Sequence, residues 1–155
     1  MGAVRSKKVA AFFVREKMIG ILLVTHTPLS AAFLAAATHV HKKSPDNVRA
    51  LDVIADQDPY EVNELVAQAL QELDDGDGVL ILTDVCGATP ANCAQRMANL
   101  SPNTRLIYGL NVPMLLRALN YRHLPLMQVM EKALDGGRSG VASYSDETSN
   151  PMCSS

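Results

Sequence analysis

Two short runs of branched apolar residues constrain this chain more than anything else in it: Ile19–Thr25 (IGILLVT) and Val79–Thr83 (VLILT). Neither run has a polar face, so both read as strands of a parallel sheet covered on both sides. The residues just past each run matter as much. The first leads straight into His26-Thr27-Pro28, and the second into Asp84 and the loop Val85-Cys86-Gly87-Ala88-Thr89-Pro90. In open parallel α/β sheets, ligands and reactive groups collect at the edge formed by the strand carboxyl ends. A His and an Asp just past the ends of neighbouring strands, roughly 5 Å apart, can meet. A carboxylate-oriented imidazole is a base or a nucleophile.

The segments around these runs carry the helical period. Apolar residues at 29, 32, 33, 36, 37 and 40 predict a helix over Leu29–His41, with Pro28 suited to its first turn. Val48–Ile54 reads as a second strand. Asp58, Pro59 and Glu61 mark a helix start: a capping acid, a proline at the first helical position, and an acid three residues after the cap. Apolar positions 62, 65, 66, 69, 70 and 73 carry that helix to Asp74-Asp75-Gly76-Asp77-Gly78. Thr89-Pro90 opens a third helix reaching Asn99, with Thr89 as its cap, and Arg105–Leu110 reads as a fourth strand. Asn111-Val112-Pro113 turns into a fourth helix reaching Arg122, and Pro125–Leu134 makes a fifth. Gly136-Gly137 is expected to break it before a short final strand over Arg138–Tyr144. Strands alternating with helices define a three-layer α/β fold with a mostly parallel sheet and helices on both faces. Right-handed crossovers then place His26 and Asp84 on the same sheet edge. The division read from the sequence is an N-terminal extension (1–17), one domain (18–144) and a polar tail (145–155).

Composition narrows the function. The 155 residues suit a single domain, and a formal charge of −2 with pI near 6.0 argues against a nucleic-acid surface. Cysteines at 86, 93 and 153 form neither a disulfide framework nor a zinc pattern, which fits a reducing, cytoplasmic setting. Residues 18–37 contain no Asp, Glu, Lys or Arg, a length that raises the question of a membrane span. Thr25, His26, Thr27, Pro28 and Ser30 interrupt its centre, where polar groups and proline are costly in lipid, so strand, turn and helix is the better reading. Near the N-terminus, the apolar run Val9–Val14 is short for a signal segment and is closed by Arg15-Glu16-Lys17.

At the expected site, Asp84 can accept a hydrogen bond from one ring nitrogen of His26, which fixes the tautomer and leaves the other lone pair outward. The competing structural reading makes His26 a strand-end residue and Asp84 a turn residue. Around the pair lie groups that suit an anion: Gly87 for a tight turn, Thr89 at a helix start, and the hydroxyls of Thr25, Thr27 and Ser30. There is no Walker lysine, Gly-rich nucleotide fingerprint or acidic trio for magnesium, so no metal or nucleotide cofactor is expected. A histidine nucleophile, an orienting aspartate and a neutral phosphate cradle together suggest a transient phosphohistidine. A thiol enzyme using Cys86 with His26 is the rival, since a helix start can lower a thiol pKa. His39 and His41 end a helix beside Lys42-Lys43, where cations complement its dipole, and His123 reads as a surface residue.

The ordered motifs ILLVTH, LILTDVCGATPANCAQRMA, YGLNVPMLLRAL and GGRSGV resemble the mannose-type enzyme IIA domain of the bacterial phosphoenolpyruvate-dependent sugar phosphotransferase system, over about Met18–Ala142. The resemblance implies a cytoplasmic domain that takes a phosphoryl group from the phosphocarrier protein HPr on His26. That group passes to a IIB domain serving a membrane permease, the only link to a membrane. It assigns Asp84 as orienting residue and Thr89 as phosphate-side hydroxyl, where serine is more usual. It also implies a homodimer that exchanges a C-terminal edge strand, about Ser139–Tyr144 here. Thr27, Cys86 and Ala88 depart from the family's usual glycine, tryptophan and glycine. These departures leave the sugar open, and leave transport, regulation linked to the same system, and a non-enzymatic sensory or interaction module as alternatives.

Overall fold

The computed structural model describes residues 16–144, so most of the expected 1–17 extension and all of the 145–155 tail lie outside the described residues. The elements run in the order β1 Gly20–His26, α1 Leu29–His41, β2 Val48–Val53, α2 Pro59–Leu73, β3 Val79–Thr83, α3 Thr89–Asn99, β4 Thr104–Ile107, α4 Val112–Tyr121 and α5 Leu126–Ser139. The four strands form one parallel sheet in the order β2-β1-β3-β4. The apolar run of β1 and the whole of β3 are buried, as runs without a polar face require.

Alternate residues of each strand feed two separate cores. Ile21, Leu23, Leu80 and Leu82 pack with Ala37 of α1, Leu115 of α4 and Val129 of α5. Leu22, Val24 and Ile81 pack with Val62 and Val66 of α2 and with Ala94 of α3. Each fully buried Leu, Ile or Val side chain contributes about 1.5–3 kcal/mol, so a polar substitution at these positions should be strongly destabilising. Because α1 and α3 lie on opposite faces, the connections leaving β1 and β3 diverge. The carboxyl edge between these two strands is the topological switch point, where sheets of this kind bind their ligands. The charge-free segment 18–37 is strand, turn and helix. Among the described residues, no helix is long and apolar enough to cross a membrane.

Side-chain caps set the starts of two of the five helices among the described residues. Asp58 caps α2 by accepting the Tyr60 N–H at 2.9 Å, with Pro59 behind it, and Asn111 caps α4 by accepting the Met114 N–H at 2.9 Å. The fourth strand is shorter than the sequence suggests, ending at Ile107. Gly109, at φ 79°, turns the chain so that its N–H donates to Asp84 O at 2.8 Å.

The C-terminal part corrects the sequence reading. Gly136-Gly137 does not break α5; the helix runs through both glycines to Ser139, and no strand forms over Arg138–Tyr144 within the chain. The reason is close packing against α4. A Cβ on Gly136 would lie 2.7 Å from Arg117 Cβ, and one on Gly137 would lie 2.7 Å from Met114 Cε. Asn111 Nδ2 also donates to Gly137 O at 3.0 Å. Glycine costs a helix about 1 kcal/mol per residue relative to alanine, and the helix–helix contact offsets this. We therefore expect Gly136→Ala to destabilise the protein despite its better helix propensity. Arg117 Cβ cannot rotate away, and overpacking costs about 1–3 kcal/mol. Urea denaturation should show a lower midpoint; a raised one would mean that α4 and α5 part freely.

Candidate functional site

His26 is the last residue of β1 and Asp84 the first after β3, and the parallel register Val24↔Thr83 brings the two strand ends together. Asp84 Oδ2 accepts two hydrogen bonds from the same residue, from the backbone N–H of His26 at 3.0 Å and from its Nδ1 at 2.7 Å. The other carboxylate oxygen accepts the Val85 N–H at 2.9 Å. An ionised carboxylate only accepts hydrogen bonds, so Nδ1 carries the proton and the neutral ring keeps its lone pair on Nε2. The Asp84 side chain is 8% exposed and that of His26 is 50% exposed, so the carboxylate sits behind the ring and the ring stands in solvent. Burial pushes the Asp84 carboxyl pKa up. The hydrogen bonds from the His26 backbone and ring and from Val85, with attraction to His26, outweigh burial and bring it below the ordinary value.

The loop after Asp84 is held open towards solvent. Gly87 adopts φ 88°, a conformation that favours glycine, and its carbonyl accepts Asn92 Nδ2 at 3.1 Å. Thr89 does not cap α3 as the sequence suggests. The N-cap is Ala88 with no side-chain cap bond, and Thr89 is the exposed first helical residue. Proline is tolerated at the second position because its missing N–H is one of the helix's unpaired donors in any case. The first turn of α3 thus has neither a capping side chain nor an acid.

The structure places the remaining sequence-predicted residues unevenly. Thr27 is exposed beside His26, its N–H donating to Val53 O at 3.1 Å. Thr25 is fully buried, within 3.0 Å of His26 O and 2.9 Å of Ser30 Oγ, so its hydroxyl supports the loop from inside and does not face a phosphate. Cys86 is exposed in the loop. Cys93 is buried, and burial pushes its thiol pKa up against a smaller opposing effect of Arg96. His39 and His41 are exposed in the last turn of α1, and His123 is exposed with its ring stacked on Tyr121 at 6.5 Å. Among the described residues, no three His, Cys, Asp or Glu side chains gather as a metal site would require. Sequence reasoning missed Asp52, whose carboxylate receives N–H groups from the start of α1. Its signal was an acid near the carboxyl end of the second strand, one residue before its end, where site residues collect. A cavity of about 520 Å³ lies between the C-terminal ends of α2 and α3, at the opposite edge of the sheet.

An open α/β domain with a solvent-facing, carboxylate-held histidine at its switch point defines a class of site, and comparison with known proteins gives the family. The chain belongs to the family described as the PTS system fructose IIA component, which it matches over residues 20–134. It is 29% identical over 125 residues to the PTS system mannose-specific EIIAB component of Escherichia coli K12, a match covering 79% of this chain. It spans only 38% of that relative's length. The fold is shared with a phosphotransferase system component EIIA from Streptococcus agalactiae (TM-score 0.74, 22% identity, 81% of this chain and 97% of that one). It is likewise shared with the mannose/sorbose specific IIA subunit from Enterococcus faecalis (TM-score 0.75, 20% identity, 83% and 96%).

Proposed function

We propose that the chain is a phosphoryl carrier of the sugar phosphotransferase system, accepting the group from phospho-HPr on Nε2 of His26 and passing it to a IIB domain. The observation that carries this reading is the Asp84 carboxylate on Nδ1, at 2.7 Å, with the ring half exposed beyond it. In the accepting step, the Nε2 lone pair forms a bond to phosphorus as the donor's phosphorus–nitrogen bond breaks. The electron pair of the broken bond returns to the donor's imidazole. The Nδ1 proton stays between His26 and Asp84 throughout, and the carboxylate stabilises the positive character that the ring acquires. Transfer between imidazoles is nearly isoenergetic, so the protein's task is alignment and charge stabilisation. The N–H groups in the first turn of α3, beside Gly87 and the exposed Thr89 hydroxyl, suit the phosphoryl oxygens. Thr27, the residue after His26, carries a second exposed hydroxyl. A half-exposed ring is also open to a protein partner, as transfer between two carriers requires.

Incubation with phosphoenolpyruvate, enzyme I and HPr should yield an acid-labile phosphoprotein. The exposed thiol of Cys86 is the one feature that favours a different reading, a thiol enzyme. Cys86→Ser should be phosphorylated at a rate within about twofold of wild type, and alkylation of the thiol should leave labelling intact. A chain that takes no phosphate, or loses that ability with Cys86, contradicts the proposal.

The same reading includes a homodimer. In this chain β4 is an edge strand, and residues 140–144 extend from α5 without regular structure, with Val141 77% exposed. Natural sheets pair or cover such edges, and a symmetric exchange of this segment does so. Sedimentation at micromolar concentration should show a dimer that weakens on deletion of residues 140–155. A folded monomer in the full chain, or a dimer indifferent to the deletion, counts against the exchange.

A further inference from the structure

The N-terminus of α1 is filled by a carboxylate from the neighbouring strand. Asp52 of β2 accepts the Ser30 N–H on Oδ1 at 2.8 Å and the Ala31 N–H on Oδ2 at 3.4 Å. The helix's own N-cap, Pro28, supplies no side-chain cap bond. Ser30 is fully buried, and its hydroxyl lies 3.0 Å from Leu51 O and 2.9 Å from Thr25 Oγ1, which in turn lies 3.0 Å from His26 O. These three contacts share two hydroxyl protons. Two of the three can be simple hydrogen bonds at once, and together these groups form one polar cluster that joins β2, the first turn of α1 and the carbonyl of His26. Asp52 is also the register partner of Thr25 across the sheet, so the anchor sits level with the residue that precedes the histidine.

The two helices that lead away from the site strands are treated differently. A helix N-terminus attracts an anion within its first turn. The one that begins just after His26 already holds an internal negative charge. The one that begins after Gly87 has no capping side chain and no acid in its first turn. An unoccupied α1 terminus would compete for the phosphoryl oxygens and pull the group away from the line of transfer. We propose that Asp52 is a positioning residue for phosphoryl transfer: it anchors the turn that carries His26 and withholds the N-terminus of α1 from the phosphoryl group, which is left to the first turn of α3. The inference rests on the carrier function proposed above, and it adds a residue that acts on the group's placement without touching the reacting atoms.

The test uses the full chain labelled with nitrogen-15 and phosphorylated through enzyme I and HPr. In wild type, phosphorylation should move the amide resonances of Thr89 and Ala91 and leave those of Ser30 and Ala31 in place. Asp52→Ala should lower kcat for phosphoryl acceptance about tenfold, since small misplacements at a transfer site carry such costs. KM for phospho-HPr should stay within about twofold, and the Ser30 and Ala31 amides should now respond to the phosphoryl group. Asp52→Asn keeps an oxygen acceptor for Ser30 but puts an NH₂, which only donates, where Oδ2 accepted from Ala31, so it should recover most of the rate while the Ala31 amide, now without its acceptor, begins to respond. If Asp52→Ala does not fold, the amide response of Asp52→Asn decides alone. A folded Asp52→Ala with wild-type kcat, an unresponsive Ala31 in Asp52→Asn, or wild-type Ser30 and Ala31 amides that move as far as those of α3 would each overturn the role of Asp52. A wild-type chain that takes no phosphate overturns the carrier reading and this inference with it.

Discussion

Replacing His26 with alanine should abolish acid-labile phosphorylation while leaving a folded protein. The loss should be complete, because no other described side chain combines an exposed imidazole with a buried carboxylate partner. The other histidines stand elsewhere: His39 and His41 in the last turn of α1, and His123 after α4. The fold should survive for a specific reason. Removing the ring takes one hydrogen bond from Asp84 Oδ2, but the His26 N–H at 3.0 Å and the Val85 N–H at 2.9 Å remain. The carboxylate is not left bare, so the stability cost should be at most that of one hydrogen bond to a charged group, about 1.5–3 kcal/mol. Retained labelling in a folded His26→Ala chain would sink the assignment.

Asp84→Asn should have the second largest effect, slowing transfer on the order of 10²-fold or more. A carboxylate oxygen can accept from the backbone N–H and from Nδ1 together and carries a full charge. An amide carries no charge and can turn its NH₂ towards the ring, which favours the wrong tautomer and directs the Nε2 proton into the path of attack. The same substitution gives a pH signature with a definite sign. The carboxyl pKa is below its ordinary value of 3.8 in the folded chain. The ionised group therefore stabilises the fold fully above the unfolded value, and that contribution is lost as pH falls through the lower folded value. The stability gap between wild type and Asp84→Asn should be flat from neutral pH down to about 4 and should shrink below it. Denaturation curves at stepped pH measure this. A gap that instead closed between about pH 7 and 5 would mean that Asp84 does not titrate as a stabilised carboxylate. Wild-type transfer rates in Asp84→Asn would reduce Asp84 to a loop residue.

Much of this site is legible in the chain because it depends on strand ends, and strand ends are written in strongly apolar runs. Val79–Thr83 has the same bounds in sequence and structure, since nothing in it can face water and the residues on either side are turn formers. The approach of His26 to Asp84 follows from that strand and its partner once the connections are right-handed. What the sequence does not show is that both His26 donors converge on one carboxylate oxygen, because that depends on a register of a single residue between β1 and β3. Thr25 illustrates a signal that was present but overridden. It shares the period-two face of Ile21 and Leu23 and so belongs inside, whereas its position next to the histidine suggested an outward hydroxyl. The glycine pair in α5 fails for another reason. Local propensity reads it as a break, but the contact that keeps it helical is made by Arg117 and Met114 on a different helix. Thr89 lies between these cases, misplaced by one position because proline is acceptable at either of the first two places in a helix.

The central claim is that Asp84 holds the Nδ1 proton so that Nε2 of His26 carries the phosphoryl group. The most direct test is nitrogen–proton correlation NMR on the phosphorylated, nitrogen-15-labelled protein, which distinguishes the two ring nitrogens. The expected spectrum shows phosphorus bonded to Nε2 of His26 with the proton retained on Nδ1. A phosphoryl group on Nδ1, or on any residue other than His26, would contradict the account.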